Sequence, residues 1–137
     1  FKERKCKCVI TPHVGEMARL CGETIEVVEK NRIGFAKKFS EKYGVSLVLK
    51  SDVSVISLMI KDEQILFLNT IGNSGLATAG SGDVLAGVIA SLVAQDNSIN
   101  NSLLYGTMVH ALSAAKYARD DNAKRRMVAG DIIENLF

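Results

Sequence analysis

A glycine-rich run that feeds straight into an apolar helix constrains this chain more than any other stretch. It reads Gly72-Asn73-Ser74-Gly75-Leu76-Ala77-Thr78-Ala79-Gly80-Ser81-Gly82-Asp83 and continues from Val84 to Gln95. With four glycines and no bulky polar side chain before Asp83, the first half is a loop. Apolar residues at 84, 85, 88, 89, 92 and 93 give the second half a helical face repeating every four residues. Backbone N–H groups at the start of such a helix have no intrahelical partner, and the helix dipole adds partial positive charge there. An anion, most often a phosphate, binds at such a place without a side chain. Asp83 falls in the first turn, beside that anion site, and the apolar helix is expected to bury its end of the segment. Taken alone, Gly-x-Gly-Asp is a short pattern that also fits a tight loop with a dipole-compatible acid.

Upstream, Cys8-Val9-Ile10 predicts a short buried strand, which Pro12 stops by forcing Thr11 into an extended conformation. His13-Val14-Gly15 turns into a helix carrying Glu16, Met17 and Leu20 and ending at Gly22. In open α/β sheets, ligands bind on the loops leaving the carboxyl ends of strands, and His13 lies on one. A single helix is expected from Glu23 or Thr24 to Gly44, with Ile25, Val28, Ile33, Phe35, Ala36 and Phe39 as its stripe. Val45 to Leu49 reads as a strand buried on both faces, and strand, helix and strand in this order predict a parallel pair. Val53 to Ile60 and Ile65 to Leu68 form a hairpin turning at Lys61-Asp62-Glu63. After a polar break at Asp96-Asn97-Ser98 comes a long helix through Leu103, Met108, Leu112 and Ala118, in which His110 is structural. Asp120 to Met127 reads as a charged loop and Ala129 to Leu136 as a short helix.

Thr11-Pro12-His13-Val14-Gly15-Glu16-Met17-Ala18-Arg19-Leu20, followed at a distance by Gly72 to Gln95, resembles the ADP/ATP-dependent NAD(P)H-hydrate dehydratase family of the ribokinase-like superfamily. The first run is the specific one; the glycine loop alone points to the superfamily. The resemblance covers nearly all of the chain but only the C-terminal half of the family's domain. It implies an α/β fold, a ribokinase-like three-layer α/β/α domain of which residues 1–137 are the C-terminal part. A first residue other than methionine, and too few strands to cover the helices, lead to the same expectation of a required upstream half.

The reaction implied is repair of the S form of NADH or NADPH hydrate. The ring hydroxyl is phosphorylated by ADP or ATP, and the ring nitrogen then expels phosphate. The resemblance assigns Asp83 as catalytic base and substrate contact, with His13, Gly15 and Glu16 also at the hydrate. Lys50, Asn73, Gly75, Thr78, Gly80, Ser81 and Gly82 fall to the nucleotide, with the N–H groups of Gly80, Ser81 and Gly82 as phosphate cradle. Mg²⁺ is implied with ADP or ATP as co-substrate, its ligands unassigned, and a homo-oligomer is expected. The chain departs from the family after Lys50, where Lys50-Ser51-Asp52-Val53-Ser54 lacks the glycines that would let backbone approach a nucleotide. Two readings stay open beside the dehydratase: a ribokinase-like small-molecule kinase stopping at the phosphorylated product, and a non-catalytic nucleotide-binding protein.

Composition narrows the classes further. A hydrophobic fraction of 47% supports a real core, and a net charge of +2 is spread along the chain. The basic clusters at Lys2 to Lys7 and Lys124 to Arg126 are short and lack interleaved aromatics, so nucleic-acid binding is not expected. Three cysteines in no metal or disulfide spacing predict reduced thiols and a cytoplasmic protein, with Cys8 buried. The longest apolar run, Val84 to Ala94, is too short to cross a bilayer.

Overall fold

The computed structural model describes residues 1, 3–61, 63–95 and 97–136. They fall into two compact units, residues 1–69 and 70–137. Lys2, Asp62 and Asp96, named in the sequence analysis, lie outside the described residues.

The first unit is a four-stranded mixed sheet in sequence order with three helices. Strand β1 (Val9–Ile10) pairs in parallel with β2 (Ser46–Leu49), Val9 opposite Ser46. Beside β2 runs antiparallel β3 (Ser54–Ile60), then antiparallel β4 (Glu63–Asn69), whose register sets Ile60 against Glu63. The parallel pair and the hairpin are those expected from the sequence. All four residues of β2 are buried, as its unbroken apolar run requires. β4 ends the sheet order, and its Ile65, Phe67 and Leu68 are exposed. Cys8, expected to be buried, is half-buried.

Helix α1 (Val14–Cys21) starts at a His13 N-cap and stops at Gly22, where the sequence put both. The single helix expected to follow is two, α2 (Ile25–Lys30), capped by Thr24, and α3 (Arg32–Tyr43), ended by Gly44. Asn31 breaks it: with φ −144° and ψ 49° it leaves the helical region, and its side-chain oxygen accepts from Gly34 N–H at 3.1 Å. A side chain competing for backbone donors in this way caps a new helix instead of continuing the old one. Met17, Val28, Ala36, Phe39, Leu47, Leu49 and Val55 form the core of this unit.

The regular elements described in the second unit are all helical. A 3₁₀ turn (Ser74–Ala77) precedes α4 (Ser81–Ala94), α5 (Ile99–Tyr117), α6 (Asp121–Arg126) and α7 (Ala129–Glu134). The 3₁₀ turn was not expected from the glycine run. The charged stretch read as a loop is α6, because Asp120 caps it, accepting from Ala123 N–H at 2.8 Å, and Lys124, Arg125 and Arg126 occupy its last turn. Ala114, Ala118, Met127 and Ile132 form a core under which Leu76 and Val84 pack. No helix among the described residues is long and apolar enough to cross a membrane.

Candidate active site

Two groups of the expected site residues can be built up separately, one in each unit. In the first, Pro12 ends β1 and His13 opens α1. His13 Nδ1 accepts from Glu16 N–H at 3.2 Å while Glu16 Oε2 accepts from His13 N–H at 2.7 Å, a reciprocal capping box. A lone pair on Nδ1 leaves the ring proton on Nε2, which sits 3.5 Å from Glu16 Oε1. A Cβ at Gly15 would come within 3.1 Å of His13 Cε1, so only glycine lets the imidazole fold over the helix start unhindered. Beside it, Ile10, Thr11, Pro12, Glu16, Arg19 and Leu20 line an open hollow of about 460 Å³. Lys50 joins this group: it bridges to His13 in parallel fashion, and its N–H donates to Pro12 O at 2.8 Å. His13, Gly15, Glu16 and Lys50 thus share one end of the β1–β2 pair.

The segment after Lys50, which lacks the family's glycines, is clamped by a residue to which the sequence reading gave no role. Arg32 Nη1 donates to Ser51 Oγ at 2.6 Å and to Asp52 Oδ1 at 2.8 Å, and it also pairs with Glu29. Nothing local in the sequence ties Arg32 to a loop some twenty residues away. A hydrogen bond from Val53 N–H, then those from Ser51 and Arg32, hold the Asp52 carboxyl below its usual range. A carboxylate depressed in the folded state adds stability above the ordinary carboxylate range and loses it as pH falls through the depressed value. Val53 amide exchange, corrected for intrinsic rate, should therefore accelerate on acidification through that window, and Asp52→Asn should abolish the acceleration. A Val53 amide that stays equally protected throughout would contradict this.

In the second unit, the glycine run is a folded device. Asn73 caps the 3₁₀ turn through Gly75 N–H at 2.9 Å, and its Nδ2 donates to Ala114 O at 3.0 Å. Gly75 is buried so tightly that a Cβ would lie 2.7 Å from Met127 Cε and 2.9 Å from Lys124 O. Thr78 closes the turn onto Gly75 O at 3.0 Å, and Gly80, at φ 85°, reverses the chain into α4 as only glycine does without strain. Gly80 is the N-cap and supplies no side-chain cap. Ser81 N–H turns back to Thr78 O at a long 3.4 Å, and Asp83 N–H to Gly80 O at 3.1 Å. Ser81 Oγ is committed to Leu76 O at 2.6 Å. His110, buried in α5, places Nε2 at 2.9 Å from Ser81 O.

Asp83 is exposed, contrary to the expectation that α4 would bury it; of α4 only Ser81, Leu85 and Ile89 are buried. The apolar residues Val84, Val88 and Leu92 instead line, with Tyr105, Val109 and Ile133, a groove of about 630 Å³ that has Asp83 on its rim. An exposed carboxylate three residues into a helix whose cap carries no side chain can take a proton from a group that also reaches the first-turn N–H groups.

Known proteins share this chain's sequence and fold. A family model described as NAD(P)H-hydrate dehydratase matches residues 1–136. The bifunctional NAD(P)H-hydrate repair enzyme of Moorella thermoacetica is 39% identical over 128 residues, covering 93% of this chain and 23% of that protein. The ADP-dependent (S)-NAD(P)H-hydrate dehydratase of Neisseria meningitidis is 35% identical over 130 residues, covering 94% and 43%. The ADP/ATP-dependent NAD(P)H-hydrate dehydratase of Bacillus subtilis, co-crystallised with ATP and Mg²⁺, superposes with a TM-score of 0.89 at 26% identity over 99% of this chain and 48% of that one. The mixed sheet with its helices matches the ribokinase-like α/β fold of that structure. The chain spans 23% to 48% of the length of these three proteins.

Proposed function

The chain belongs to the NAD(P)H-hydrate dehydratase family, and from that premise we propose that it supplies the C-terminal half of a domain that dehydrates (S)-NADH or (S)-NADPH hydrate at the expense of ADP or ATP. The observation that carries the reading is the exposed Asp83 carboxylate in the first turn of α4, directly after the Gly80 reversal. Asp83 takes the proton of the ring hydroxyl as that oxygen attacks the terminal phosphorus, and the P–O bond to the remaining nucleotide breaks. The N–H groups of Gly80, Ser81 and Gly82 receive the charge on the transferred phosphate, Ser81 giving up its long 3.4 Å bond to Thr78 O. The ring nitrogen's lone pair then drives out phosphate, and loss of the neighbouring ring proton restores the dihydropyridine. His13, Gly15 and Glu16, beside their open hollow, hold the hydrate; Lys50, Asn73, Gly75 and Thr78 serve the nucleotide end. Asn73 and Gly75 do so indirectly, since their polar or steric capacity is spent on the loop itself.

Among the described residues no three His, Cys, Asp or Glu side chains gather as metal ligands. A Mg²⁺ carried in on the nucleotide is held mainly by phosphate oxygens and water with one or two carboxylates, and no step above runs through the ion. Self-association, a cytoplasmic location and dependence on the other half of the domain belong to the same proposal; Cys6, Cys8 and Cys21 are free thiols, consistent with a reducing compartment.

The test is substrate competition in the complete protein. NADH hydrate with ADP or ATP should regain the absorbance of reduced pyridine, whereas sugar, pyrimidine or thiazole alcohols should consume no nucleotide. Phosphorylated alcohol as the end product would favour a small-molecule kinase instead. Lys50→Ala should weaken nucleotide binding, whereas Ser51→Ala should barely register, because Ser51 Oγ is held by Arg32. Equal losses in a binding titration would show that the glycine-free loop contacts nucleotide after all.

A further inference from the structure

One face of α5 touches the phosphate loop and its helix at three points spaced one helical turn apart. At Gly106 a Cβ would lie 2.7 Å from Ile89 Cγ1 and 3.4 Å from its Cα, so α5 and α4 approach closely there. Four residues on, His110 reaches the carbonyl of Ser81, the first residue of α4. Four further on, the Ala114 carbonyl accepts from Asn73, the cap of the 3₁₀ turn. Residues four apart share a helix face, so a single stripe grips the body of α4, its first residue and the far end of the loop. The whole segment from Asn73 to Asp83 is strung between the outer two of these contacts. A carbonyl only accepts, so Nε2 of His110 carries the proton of this bond. Ser81 O has a second lone pair for its helical partner, and the imidazole bond therefore adds direction without breaking α4.

We propose that His110 is a positioning residue: by donating to Ser81 O from its buried place in α5, it fixes the angle at which the Gly80–Asp83 turn meets a bound phosphate. The proposal deepens the dehydratase reading and rests on it for the identity of the ligand. His110 touches neither substrate nor nucleotide; it acts through Ser81.

Three variants of the complete protein test this. His110→Leu fills the volume without a donor, His110→Gln restores a donor of similar reach, and His110→Asn offers one too short to arrive. Loss of one hydrogen bond at the turn should weaken ADP affinity about 3–10-fold in the Leu and Asn variants. In both, kcat for NADH hydrate should fall while KM for the hydrate stays near wild type. His110→Gln should recover both, and amide NMR shifts of Gly80 to Asp83 should move in Leu and Asn and return in Gln. A Leu variant with unchanged ADP affinity, kcat and amide shifts overturns the proposal. So does a Gln variant no better than Asn, the decisive pair if Leu does not fold, or losses that simply follow melting temperature. A wild-type protein that binds ADP yet leaves NADH hydrate untouched sinks the dehydratase reading alone. Positioning is then judged on ADP affinity and amide shifts, and on the shifts alone if ADP does not bind.

Discussion

In the complete protein, Asp83→Asn should cut hydrate turnover by about 10²–10⁴-fold, the scale on which loss of a general base is felt. The substitution keeps the shape and hydrogen-bonding reach of the side chain and removes only its ability to take a proton. Asp83 is solvent-exposed and its backbone N–H, which donates to Gly80 O, is unaffected by the exchange. Nucleotide affinity and melting temperature should therefore stay close to wild type. The assignment fails if the Asn variant turns over at a near-normal rate, or if its lost activity merely tracks lost folding.

A comparably large effect, on stability, should come from the far end of the chain. Ile132 of α7 is fully buried against Ala114, Ala118 and Met127, with Leu76 and Val84 packed on the same cluster. Truncating such a side chain removes its transfer free energy and leaves a cavity, together about 2–5 kcal/mol. Because Leu76 belongs to the 3₁₀ turn and Val84 to the first turn of α4, the cavity opens beneath the glycine loop. Ile132→Ala should thus lower the denaturation midpoint and, in a binding titration on still-folded protein, loosen nucleotide as well. The neighbouring exposed Glu134→Ala should shift stability by no more than about 0.5 kcal/mol. Wild-type nucleotide affinity in a destabilised Ile132→Ala would show that the terminal helix does not shape the loop.

What the sequence disclosed was whatever is written locally. Pro12, His13 and Gly22 bracket α1 within a dozen residues, and the β2 run of Ser46 to Leu49 announces its own burial. The break at Asn31 escaped notice because Ile25, Val28 and Ile33 continue the apolar stripe across it, while the cap that ends α2 depends on one side-chain oxygen. The α6 helix was hidden by its charge, although Asp120 was there as a cap. Asp83's exposure could not be read from α4, since a helix apolar on two sides does not say which side finds a neighbour. The glycine loop was legible as a loop entering a helix and illegible in its internal structure. Gly75 is required by Met127 and Lys124, fifty residues later, and no local pattern encodes that contact.

Strand β4 has a practical consequence for anyone handling these 137 residues. It is seven residues long, lies at the end of the sheet order, and shows Ile65, Phe67 and Leu68 to solvent, without proline or a run of lysines along it. A seven-residue strand that ends the described sheet and shows apolar side chains to solvent is a template for another chain. Preparations of the isolated polypeptide should consequently grow turbid with concentration, and a lysine in place of Phe67 should delay that onset while leaving the β3–β4 register intact.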